Sequence, residues 1–159
     1  MVKFEILNQQ KIIKLNPKQL YKYLKKIIAY ISSAHAYNLQ SQKISILFCD
    51  NNFIRRLNKK YFKKNCSTDV IAFPLKDKLT PDYLGEIVVS IEKARANSQI
   101  YKNSFKREIL LYLVHGILHL LGYTDLTQDK RQIMEKKQEE IMRKLSASSF
   151  QPAAKKSQN

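Results

Sequence analysis

The chain has 159 residues, 44% of them hydrophobic, which suits one domain with a real core. Its 29 Lys and Arg against 13 Asp and Glu leave a net charge of +16, an excess that favours a polyanionic partner through counterion release and electrostatic steering. The longest apolar run, near residues 109–121, falls short of the ~20 residues a membrane span needs, and two cysteines without a CxxC pattern argue against a disulfide framework or a thiolate zinc site.

The N-terminus, MVKFEILNQQKIIKLN, alternates apolar and polar residues and carries no apolar signal core or small-residue cleavage site, so residence in the cytoplasm is expected. Residues 2–7 and 11–15 read as strands, the pair suggesting a hairpin. Asn16-Pro17 supplies a cap and a pre-set first residue for an amphipathic helix to about Ser33, with Leu20, Leu24, Ile27, Ile28 and Ile31 on its apolar face. KISILFCD, residues 43–50, is a short apolar strand in which Cys49 is expected to be buried, with Cys66 in a loop further on.

NNFIRRLNKKYFKK, residues 51–64, follows as an amphipathic helix. Arg55, Lys59 and Lys63 form one i, i+4 row, Arg56, Lys60 and Lys64 another, with no acid among them, while Phe53, Ile54, Leu57 and Tyr61 take the opposite face. A solvated face usually mixes signs, so this stripe is the predicted nucleic-acid contact. DVIAFPL (69–75) and LGEIVVSI (84–91) are strands around a turn; helices are predicted over about 91–101, 104–121 and 127–147. The tail, 148–159, lacks periodicity and reads as disordered. With no internal repeat, the elements predict a single α+β domain over 1–147, α/β being the alternative, in which a small mixed sheet packs with about five helices.

Two of the three histidines, His115 and His119, lie four residues apart in the 104–121 helix, so they share one face of a largely buried element. Gly122 is placed to end that helix in a left-handed turn, which would return residue 125, an aspartate, to the same face. The pattern H-x-x-x-H-x-x-G-x-x-D repeats the ligand spacing of the metzincin zinc site with oxygen in place of the third nitrogen, and three protein ligands with an open position make a catalytic pattern. Where metalloproteases carry their general-base glutamate this chain has Gly116, which points away from peptide substrates while leaving metal-activated water possible.

At these residues the sequence resembles the YbeY-type rRNA maturation factors, single-strand-specific, zinc-dependent endoribonucleases. HGILHLLGYTD is similar to the family's HGxLHLxGYDH, LNKKYFKKNCSTDVIAFP (57–74) to LNxxYRxxDxPTDVLSFP, and LGEIVVS (84–90) to LGDIVIS, three motifs in order over residues 57–125. The resemblance implies an α+β fold with the metal at the end of the buried helix. It also implies small-subunit rRNA 3′-end processing and ribosome quality control in the cytoplasm. On this reading His115, His119 and Asp125 are the catalytic residues and hold one Zn2+ per chain; Arg55, Arg56, Lys59, Lys60, Lys63 and Lys64 bind RNA, the partner being rRNA or the small ribosomal subunit, with no membrane and no organic cofactor involved.

The departures from the family pattern are specific. Asp125 replaces its third histidine, and Thr124 the preceding aspartate. An alignment that treats Asp125 as that aspartate, shifted, leaves only two histidines; the six-residue offset from His119 favours the ligand reading. Phe62 stands at a family arginine, while Asn65 and Ser67 replace Asp and Pro; Thr68, Asp69 and Pro74 are retained. Arg95 and Arg107 read as ordinary exposed helix residues, and Glu108, on the histidine face, either orients a ligand or serves as a helix cap or ion-pair partner. Two rival readings are a ribosome-associated RNA-binding protein with weakened catalysis, made credible by Asp125 and Phe62, and a metallohydrolase of peptides or small molecules.

Overall fold

The computed structural model describes residues 1–35, 37–75 and 77–147, so the tail expected to be disordered lies outside the described residues. Four strands, β1 (Lys3–Asn8), β2 (Lys43–Cys49), β3 (Val70–Pro74) and β4 (Tyr83–Ser90), form one mixed sheet in the order β1-β2-β4-β3. β1 and β4 run parallel to β2, and β3 pairs antiparallel to β4. Five helices complete the domain: α1 (Pro17–His35), α2 (Asn51–Phe62), α3 (Ile91–Ile100), α4 (Phe105–Leu120) and α5 (Gln128–Ala147). The expected small α+β domain is thus observed.

β2 shows why the central strands read as continuous apolar runs. Ile44, Ile46 and Phe48 face the main core with α1, α4 and α5, while Leu47 and Cys49 face a second core with Ile54 of α2 and Ile71 and Val88 of the sheet. Helices cover both faces, so alternation disappears. α4 lies at the centre: Leu113, Val114, Ile117 and Leu118 are fully buried, and each large aliphatic contributes about 1.5–3 kcal/mol relative to exposure. Short side-chain caps set the helix starts. Asp50 accepts from the Phe53 N–H, Ser90 from Lys93 and Ser104 from Arg107, each satisfying an orphan donor of the first turn.

The hairpin expected over 2–7 and 11–15 is not formed. β1 pairs with β2, and residues 11–15 are not a strand. The buried Gln10 side chain takes over the local pairing: its Oε1 accepts from the Ile12 and Ile13 N–H groups at 2.7 and 2.9 Å, and its Nε2 donates to the Asn8 side chain and the Ile13 carbonyl. One amide meets polar needs that a second strand would have met.

Candidate metal and RNA-binding site

The C-terminus of α4 builds the site. Gly122 has φ +96°, its N–H bonds the His119 carbonyl at 3.0 Å, and the Tyr123 N–H bonds the Leu118 carbonyl at 3.0 Å. This is the Schellman pair of bonds, requiring a left-handed residue at position 122. The chain turns back, and ligand atoms of His115, His119 and Asp125 lie within 4.8 Å of one another. The structure therefore brings together the three residues that spacing had suggested as a metal group.

Both rings are held by their outer nitrogens. His119 Nδ1 donates to the Tyr123 carbonyl at 3.0 Å, a product of the same turn, and His115 Nδ1 donates to Gln138 Oε1 of α5 at 2.9 Å. With the protons on Nδ1, the two Nε2 lone pairs point at each other across 3.0 Å. Two acceptors so close repel unless a cation lies between them; tetrahedral zinc at ordinary Zn–N lengths would set its nitrogens about 3.3 Å apart. Burial, and after it the proximity of His115, which would oppose a second positive charge, lowers the His119 pKa against the opposing pull of the Tyr123 carbonyl and Asp125, which favours the neutral form that a metal needs. The Thr124 hydroxyl is buried in the same cleft with no hydrogen-bond partner. Two converging imidazoles, a carboxylate and an orphaned hydroxyl fit a divalent metal with open coordination.

Gly116 has a packing reason. A Cβ there would sit 2.7 Å from Ile87 Cγ2 on β4, so even a methyl group would force the helix-to-sheet packing to shift, and the longer glutamate of metalloproteases would crowd it further. Glu108 is buried in the first turn of α4, and its Oε1 accepts from Asn103 Nδ2 at 2.9 Å, a side-chain bond to the segment that precedes the helix rather than a bond to either histidine; the cap itself is Ser104. Gln138, the partner of His115, carried no signal in the sequence because it lies on a separate helix 23 residues away.

A cleft of about 670 Å³ runs past the site, lined among others by Asn58, Phe62, Lys64, Thr68, Asp69 and Tyr123. The basic stripe differs from its expected form. α2 ends at Phe62, and Lys63 adopts a left-handed conformation, φ 60°, so Lys63 and Lys64 leave the two helical rows. The turn is set by buried Asn58, whose Nδ2 donates to the Cys66 carbonyl at 2.9 Å while its own carbonyl accepts from the Lys64 N–H. Asn58 thus occupies the inner position expected for Tyr61, which is 53% exposed. Arg55, Arg56, Lys59 and Lys60 stay exposed on the helix, while Lys64 is the member of the stripe that lines the cleft. Arg95 and Arg107 are exposed, as read from the sequence.

Comparison with known proteins agrees with this geometry. The family model described as "Endoribonuclease YbeY" matches residues 5–146. The chain is 42% identical over 99 residues to an endoribonuclease YbeY of Carboxydothermus hydrogenoformans, covering 62% of this chain and 69% of that one. To an endoribonuclease YbeY of Clostridium botulinum it is 34% identical over 157 residues, covering 86% of this chain and 93% of the relative. The solution structure of TM1509 from Thermotoga maritima shares the fold over the whole of both chains, with a TM-score of 0.61 at 21% identity.

Proposed function

The chain belongs to the YbeY endoribonuclease family, and from that membership we propose that it cleaves single-stranded RNA at a zinc centre formed by His115, His119 and Asp125, one ion per chain. The observation that carries the metal reading is the approach of two Nε2 atoms to 3.0 Å, each ring fixed by an acceptor on its Nδ1. Zinc held there would supply Lewis acidity and activate water near neutral pH. The protein's own part is placement. Gln138 and the Tyr123 carbonyl fix ring orientation and tautomer, and Lys64 at the cleft wall offsets phosphate charge. Arg55, Arg56, Lys59, Lys60 and Lys63, exposed along α2 and at its end, hold further backbone phosphates.

The substrate we propose is small-subunit rRNA, with action in 3′-end maturation and ribosome quality control in the cytoplasm. Family membership and the +16 charge support this reading. The test is digestion of a single-stranded RNA by the purified protein with and without chelator, beside His119→Ala. Cleavage by the wild type alone, lost in chelator and restored by zinc, is expected. Cleavage unaffected by chelator would overturn the metal centre, and tight RNA binding without cleavage would favour an RNA-binding protein with weakened catalysis.

A further inference from the structure

α2 ends in two aromatic rings that the core does not take. Phe62 is 48% exposed and lies near-parallel to Phe73, with centroids 6.2 Å apart and planes 23° from each other. Tyr61 meets the same Phe73 ring edge-on at 5.0 Å. Phe73, on β3, is half-buried against the second core and anchors both. A ring backed on one side and still half exposed leaves its other side to solvent. Phe62 also lines the cleft that contains His115 and His119, where exposed Lys64 lines it too, and exposed Lys60 lies with its Nζ 5.2 Å from the centre of the neighbouring Tyr61 ring.

A planar apolar surface with cations beside it matches a planar group flanked by phosphates. Bases of a duplex are covered by their neighbours, so only an unpaired base offers a free face. We propose that Phe62, backed by Phe73, is the stacking platform for one unpaired base of the RNA, next to the phosphate in the cleft. This rests on the RNA reading above, and it gives the site a physical reason to prefer single strands. The contact is independent of base identity, because every base has a π-face.

The test couples the residue to the base. A labelled single-stranded oligoribonucleotide, and a set of the same strand with one abasic position moved along it, are bound to the full chain on ice, with strand integrity checked by gel. Phe62→Leu should weaken binding of the intact strand by about 5- to 150-fold, while Phe62→Trp keeps it. At one abasic position the wild type should lose a similar factor, and Phe62→Leu should lose nothing further there. Unchanged thermal midpoints for both variants would confirm that a half-exposed position had been altered without unfolding. Equal binding of the intact strand by wild type and Phe62→Leu, or additive losses at every abasic position, would overturn the platform and hand the patch to a protein partner. Failure of the wild type to bind any of these strands would overturn the RNA reading as well, a distinct result.

Discussion

The close approach of α4 to the sheet can be tested by adding one methyl group. In Gly116→Ala the new Cβ would lie 2.7 Å from Ile87 Cγ2 and 3.1 Å from Cδ1, inside normal contact, and Ile87 is fully buried with no free end to swing away. Overpacking of this kind costs about 1–3 kcal/mol, while the Gly to Ala change in a helix gains about 1 kcal/mol, so the net expectation is a loss of about 0–2 kcal/mol. That lowers the melting midpoint by up to ~8 °C for a chain of this size. Ile87→Ala alone should cost about 2–5 kcal/mol through its cavity. In that background the added methyl meets empty space, so Gly116→Ala should become stabilising. Urea denaturation of the four proteins, with unchanged slopes, measures the cycle. Stabilisation by Gly116→Ala in the wild type, or effects additive within ~0.5 kcal/mol, would refute the contact.

Asp125→His keeps the offset from His119 and offers a good zinc ligand, so zinc affinity by competitive chelation should hold or rise; loss of metal would show that residue 125 points elsewhere. Gln138→Leu removes the acceptor that orients His115 and should weaken zinc binding by about 10- to 100-fold, with Gln138→Glu retaining it. Burial pushes the Cys49 thiol up to about 12, whereas Cys66 is exposed, so a thiol reagent at pH 8 should label one cysteine in the native protein and both after denaturation. Two equally fast thiols in the native state would contradict the burial.

The helices, the strands around the site and the ligand spacing were legible because they depend on local chemistry. Asn16 announces the cap of α1 from the sequence alone, and Gly122 announces a left-handed turn that aims Asp125 back. What escaped depends on long-range pairing or on a single side chain. The stretch 11–15 has a strand's alternation, but β1 finds its partner in β2, and Gln10 closes the turn locally. The rows of the basic stripe continue past Phe62 in sequence, yet Asn58 is drawn inward by the Cys66 carbonyl and the helix stops. Gln138 was invisible because only the packing of α5 on α4 brings it to His115.

The central claim is that the three residues at the end of α4 hold one metal ion on which RNA cleavage depends. Its most direct test is a titration: metal-stripped protein receives increasing zinc, and the initial rate of single-stranded RNA cleavage is recorded against equivalents added. The rate should start near zero, rise linearly and level off at about one zinc per chain, with His119→Ala flat throughout. A rate in the stripped protein equal to that of the loaded one, or a His119→Ala curve that follows the wild type, would contradict the claim.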